Sequence, residues 1–328
     1  MSAARPRAFP IPALLNVGIL AAATAACIGL LWLASHDVRP AVVTVAAVAF
    51  SFTANTLFSL LHEAVHGVFH PDPAINRWAG RWAASFFPTS FGLQRGMHLV
   101  HHRNNRGETE RFDYISPGDV AWLRYAQWYS ILTGLYWVIS VAGVAIYFVT
   151  PAGVRNKTMG ASTWRRTDSR VATQTASREY LAVFDDLDPV TTRLEVLGAI
   201  GLHAALFLGF DLTVAGWAAC YGAFGLHWSS LQYADHAFSP LHRTDGAWDL
   251  DVNPISRAFF LNYHDHRAHH RNPRAPWIHL PDLVDQKAER PTFFGVWRSM
   301  WAGPRPLPAE ARGIADAPTG ATTPDAPA

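Results

Sequence analysis

Five stretches of this chain, residues 11–33, 41–61, 126–149, 196–210 and 212–230, together hold 102 residues without one Asp, Glu, Lys or Arg. That partition constrains the fold more than any other feature. A hydrocarbon core of about 30 Å takes roughly 20 apolar residues in a helix, and the first two runs supply 23 and 21. All 52 charged residues fall in the other 226. That remainder is about as charged as an ordinary soluble domain. The sequence therefore reads as an all-α membrane protein, a base of apolar helices carrying an aqueous cap.

The order of the runs suggests how they cross. Arg5 and Arg7 precede a 23-residue run, longer than the 7–15-residue core of a cleavable signal, so 11–33 is read as a retained first helix behind a disordered 1–10. The short gap 34–40, with Pro40 at its end, joins it to 41–61 as a hairpin. Runs 196–210 and 212–230, split by Asp211, make a second hairpin. Basic residues number 7, 7 and 10 in 62–125, 150–195 and 231–328, against Arg39 alone in 34–40. The positive-inside rule puts those three regions on the cytoplasmic side. Parity then leaves no simple crossing for 126–149, whose aromatic content suits an interfacial or re-entrant position. The alternative has 126–149 crossing and 193–230 forming one long broken helix. Either way 11–302 is one domain, and the Pro/Ala-rich 303–328 reads as a disordered tail.

The rest of the composition mainly excludes. A net charge of +2 points to no nucleic-acid partner. Cys27 and Cys220, each inside an apolar run, are too few for an iron–sulfur cluster. Only two of 27 basic residues are lysine, a bias that hints at a GC-rich bacterial genome and hence a bacterial inner membrane.

Sixteen histidines carry the chemistry, through their spacing. His62 and His66 stand four apart at the end of the second run, while His98, His101 and His102, and again His266, His269 and His270, form His-x-x-His-His. Positions i, i+3 and i+4 share one helix face, so each cluster offers imidazoles in one direction. Such clusters suit iron, zinc or copper. Eight rings exceed what one tetrahedral zinc needs, which makes two metals the natural count. The placement at the mouth of the bilayer gives a lipid chain access to them.

These three boxes, their order and their placement around membrane hairpins resemble the integral-membrane fatty acid desaturase/hydroxylase family, over about residues 40–285. The resemblance implies a four-helix transmembrane stem, a cytosolic helical cap and a histidine-ligated di-iron centre using O2. It also implies a ninth ligand, for which Asp235-His236 fits, and a side-chain amide reaching the metal through water, for which Gln232 fits. The implied ligands are His62, His66, His98, His101, His102, His236, His266, His269 and His270. Two departures stand out: Glu63 where many desaturases have Asp, and the extra His264. The implied partners are an aliphatic or acyl lipid, membrane lipids, and a ferredoxin- or cytochrome-type electron donor with its reductase. The implied reaction is desaturation, with hydroxylation or oxidative decarboxylation of the same chain as the alternative.

Several side chains have two readings. Glu63, Asp235 and Asp265 neighbour ligands and are candidates to orient imidazoles as acceptors, or are simply solvated. His62-Glu63-Ala-Val-His66 also matches the zinc metalloprotease motif, with Glu63 as base, but that reading leaves both His-x-x-His-His boxes without a role. A metal carrier would want ionisable groups within the spans, where only His203 stands. His36, His70, His203, His227, His242, His264 and His279 take structural or surface readings. Arg267, Arg271 and Arg274 are candidates to dock an acidic donor or to meet anionic headgroups.

Overall fold

The structure is a computed structural model and describes residues 9–107, 109–151, 180, 182–184 and 186–309. The expected disorder of 1–8 and 310–328, and most of the basic stretch 150–195, lie outside the described residues.

The chain opens with two long helices, α1 (Ala13–His36) and α2 (Pro40–Val65), joined by three residues. Pro40 begins α2 at a position whose N–H has no intrahelical partner anyway. Two more helices of 21 residues come later, α7 (Pro189–Gly209) and α8 (Val214–Ala234). The turn between them holds Asp211 with φ +50°. Across it His203 meets the rings of Trp217 and Tyr221 at 6.0 and 5.5 Å. Residues 193–230 are thus a hairpin and not one broken helix. α8 packs on both α1 and α2. Small residues make that contact close: a Cβ on Gly216 would stand 2.7 Å from the Ala34 carbonyl oxygen, the kind of approach that membrane helix pairs use in place of a hydrophobic driving force.

Among the described residues α1, α2 and α7 are long and apolar enough to cross a membrane, and the count reaches four if one bent pair makes a single span. That pair is α5 (Ala121–Leu132) and α6 (Leu135–Val149), bent by 97°. Gly134 sits at the bend with φ +77°, and a Cβ there would meet the Leu226 backbone at 2.8 Å. Both the left-handed φ and the close approach require glycine. Residues 126–149 therefore form no straight helix. α8, expected as a span over 212–230, does form a helix, yet Trp217, Tyr221, His227 and Ser229 make it less apolar than the other three.

The polar segment 62–125 departs from the expected cap. It holds α3 (Pro73–Phe86) and α4 (Phe91–Asn104), capped by Asp72, which accepts from Ala74 and Ile75, and by Ser90, which accepts from Leu93. Such caps contribute about 0.5–2 kcal/mol each. The tip between these helices does not sit on top of the long helices. Phe86 and Phe87 lie in their core with Cys27, Phe50 and Phe224, and the Tyr221 hydroxyl donates to the Phe86 carbonyl at 2.9 Å. Trp82 Nε1 likewise donates to Thr24 Oγ1 of α1 at 3.0 Å. Glu195 of α7 clamps this hairpin, accepting from Arg81 Nε, Ser90 Oγ and Gly92 N.

The C-terminal part adds α9 (Pro254–Phe260), α10 (His266–Arg271), a 3₁₀ turn (Trp277–Leu283) and α11 (Phe293–Met300). Two short parallel strands, β1 (Tyr114–Ile115) and β2 (Arg305–Pro306), are the departure from an all-α chain. β2 also corrects the expected tail: 303–309 are placed, with Leu307 buried and its N–H bonded to the Ile115 carbonyl at 3.0 Å. Compositional bias read that stretch as disordered because two backbone hydrogen bonds leave no trace in composition.

Candidate metal centre

The C-terminal ends of α2, α4 and α8 meet beside α10, and each delivers imidazoles to the meeting point. His62 closes α2 and His66 caps it. His98, His101 and His102 stand on the last turns of α4, and His236 follows the α8 cap. His266, His269 and His270 ride on α10. Helix C-termini carry partial negative charge and favour a cation nearby.

All nine rings come together, in two groups. His62, His66, His98, His102 and His269 offer nitrogens within 4.8 Å of one another; so do His101, His236, His266 and His270. Each His-x-x-His-His box is divided. His98 and His102, four apart, enter the first group while His101 enters the second. In the third box His266 and His270 enter the second group while His269 enters the first. At 100° per residue, i+4 lies about 40° to one side of i, and i+3 about 60° to the other. One helix turn can therefore serve two ions.

The donor set fits metal ions. His66 and His98 Nε2 lie 2.9 Å apart, His98 and His102 Nε2 2.9 Å, and His102 and His269 Nε2 3.0 Å. One hydrogen cannot satisfy three such contacts in a row, whereas a cation among the lone pairs satisfies all of them. His62 Nε2 and His270 Nε2 are buried without a hydrogen-bond partner. Burial, followed by neighbouring charged groups, pushes His98, His102, His236, His266, His269 and His270 well below 6.5, and His66 to about 3. Neutral rings are the ligating form.

The surroundings hold some rings in place. His236 Nδ1 meets the Gly246 carbonyl at 2.9 Å. Asp235, fully buried, stands 3.6 Å from His266 Nδ1, and burial pushes its carboxyl well above the usual range. Asp265 faces Arg290 at 3.3 Å and His264 at 3.6 Å, away from both groups. Gln232 accepts from the Tyr263 hydroxyl through its Oε1 at 3.0 Å, and its Nε2 is buried without a hydrogen-bond partner. Tyr263 in turn packs on His62 and His266, with ring centroids 5.0 Å from each. Sequence reading missed Tyr263, although its place three residues before His266 was a signal. It also missed Asp249, which accepts from Arg267 and from the Ala268 N–H and so anchors α10. Nothing in its spacing marks that role.

The other seven histidines join neither group. His227 contacts Ser51 and Asn55, His203 accepts from Trp217, His70 accepts from the Asp72 N–H, and His36 stacks on Trp32. His279 meets the Pro10 carbonyl, His242 is exposed beside Asp245, and His264 is fully buried. The basic trio near the third box is also corrected. Arg267 is buried on Asp249, whereas Arg271, paired with Asp245, and Arg274 are both exposed.

The match to known proteins fits this geometry. The family model described as fatty acid desaturase matches residues 38–300. The chain belongs to the fatty acid desaturase family. No curated protein matches it. Membership makes this fatty acid desaturase relative a membrane oxidoreductase acting on fatty acyl chains, and iron is the family's usual metal.

Family and geometry together answer the protease reading. Five rings surround the position where His62 and His66 would hold a single zinc with one further ligand. Glu63 is buried and its Oε2 accepts from the Trp277 N–H at 3.0 Å, so it pins the 3₁₀ turn. Glu63→Gln keeps an acceptor oxygen for that bond and is expected to retain turnover within about tenfold of the parent, the scale of one hydrogen bond. A protease losing its general base would lose activity outright. Assays of oxidation and of peptide cleavage on the same preparation check this.

Proposed function

We propose that the protein is an oxygen-dependent di-iron oxidoreductase that introduces a double bond into a fatty acyl or related aliphatic chain. Its stem is the two hairpins α1–α2 and α7–α8, with α5–α6 interfacial or re-entrant, and its site faces the cytoplasm, in a bacterial inner membrane. The observation that carries the reading is the division of nine imidazoles into groups of five and four at the ends of apolar helices. The nine histidines would hold one ion per group, with Gln232 and Tyr263 bordering them. Two ferrous ions there supply the activation of O2 that removal of hydrogen from an unactivated C–H bond needs.

The remaining residues bind, orient and exclude water. Leu231, Phe260 and Tyr263, with Phe52 and Phe58 packed against them, form an apolar cluster that meets His62 and His266 through Tyr263, which supports an apolar approach for the chain from the bilayer. A water-sized cavity beside His62 and His269 is lined by Ser59, Glu63, Leu261, Tyr263 and Trp277. Asp235 faces the Nδ1 edge of His266 at 3.6 Å, without a hydrogen bond to it. Asp265 bears on the centre only indirectly, because it contacts Arg290 and His264. Two electrons per turnover come from outside, since the sequence holds no cysteine cluster and no Gly-rich dinucleotide fingerprint. A ferredoxin- or cytochrome-type donor with its reductase supplies them.

The test feeds an acyl chain deuterated at two neighbouring carbons to membranes supplied with donor, reductase and labelled oxygen gas. Loss of one deuterium from each carbon, with no label in the lipid, is the expected outcome. Gain of labelled oxygen would make the protein a hydroxylase, and a product one carbon shorter a decarboxylase.

A further inference from the structure

Outside the histidine boxes, one carboxylate among the described residues reaches a ring of the site at hydrogen-bond length. His101 Nδ1 lies 2.7 Å from Glu110 Oε2. The carboxylate is nearly buried, with 11% of its side chain exposed. The Tyr180 hydroxyl donates to Glu110 Oε1, and the backbone carbonyl of Glu110 lies 2.9 Å from the hydroxyl of Tyr233, on α8 three residues before His236. The other carboxylate beside the second group, Asp235, stays 3.6 Å from His266 Nδ1, beyond hydrogen-bond length.

An ionised carboxylate can only accept. The proton of His101 therefore sits on Nδ1, and Nε2 keeps its lone pair for a ligand role beside His236, His266 and His270. The same bond fixes the plane of a ring that the box geometry alone leaves free to turn, because His101 stands apart from its neighbours His98 and His102. A carboxylate acceptor also raises the basicity of the opposite nitrogen.

We infer that Glu110 is a positioning residue that acts through His101 to set the affinity of the second metal position, without touching substrate. The inference rests on the two-metal reading of the site. Its test is an anaerobic titration of metal-stripped, full-length protein in detergent with ferrous ion alone. Parent protein is expected to take up two ions per chain. Glu110→Ala is expected to weaken one of them about 10- to 100-fold and leave the other unchanged. Glu110→Gln still offers an acceptor oxygen and is expected to recover part of the loss.

His101→Ala should weaken the same ion further, and adding Glu110→Ala to it should change nothing more, because the two groups act as one unit. Combined instead with His66→Ala, the loss should fall on both ions. Two bound ions that ignore both Glu110 variants would overturn the inference. So would additive losses at His101 and Glu110, or loss of both ions in Glu110→Gln, which would make Glu110 a prop of the fold. Parent protein that takes up one ion or none overturns the two-metal reading itself.

Discussion

Alanine at His102 or His270 is expected to abolish turnover and to strip most of one ion from each chain. Removing a partner one shell out costs 10- to 100-fold in metal affinity, so loss of a ligand itself should exceed about 100-fold. His102 is the more informative position in the first group. Its Nε2 stands between those of His98 and His269, 2.9 and 3.0 Å away, and its deletion opens the middle of the row. His270 plays the corresponding part in the second group, with a buried Nε2 and no hydrogen-bond partner. His242→Ala supplies the control, because that ring is exposed and joins neither group. Iron per chain, measured beside oxidation rate, checks all three. A single stoichiometric zinc in active parent protein would defeat the assignment.

That experiment depends on groupings which the sequence revealed only in part. The three boxes were legible because a helix turn converts a spacing of three or four residues into one shared face, whereas His236 came only from the family resemblance. Spacing could not say that His101 and His269 leave their own boxes for the opposite group. Which side of a turn faces which ion depends on how α4 and α10 lie against each other, and that is set by distant contacts such as Asp249 with Arg267. The charge-free runs gave the long helices for the same reason that they gave the membrane: each can bury its backbone bonds internally. They could not show that Phe86 and Phe87 dip among those helices. Two arginines on α3 make that helix look aqueous, yet Arg81 is neutralised by Glu195, 114 residues away. Arg267 was misread in the same way. A basic residue near a site looks like a docking charge until its buried partner is known.

The largest expected effect on stability also comes from a pair that no local pattern announces. Arg106 and Asp113 form a two-pronged ion pair, at 3.0 and 2.7 Å, with 1% and 0% of their side chains exposed. Asp113 also accepts from the Phe238 N–H at 2.7 Å and the Tyr233 hydroxyl at 3.0 Å, and Arg106 donates to the Ser239 carbonyl at 3.2 Å. These bonds tie the segment after α4 to the segment after His236, which brings His101 and His236 from chain positions 135 residues apart into one group. Asp113→Leu leaves a guanidinium buried without its partner, at a cost of about 3–5 kcal/mol. In a chain of this size that lowers the unfolding midpoint by roughly 4–7 °C. Arg106→Met alone should cost less, because a carboxyl left without its partner can take up a proton. The double variant Arg106→Met/Asp113→Leu should recover much of the loss, since an apolar pair of similar volume avoids desolvating either charge. Thermal unfolding of the four proteins in the same detergent checks the cycle. Simple addition of the two single losses would mean that the pair is not the clasp joining these segments.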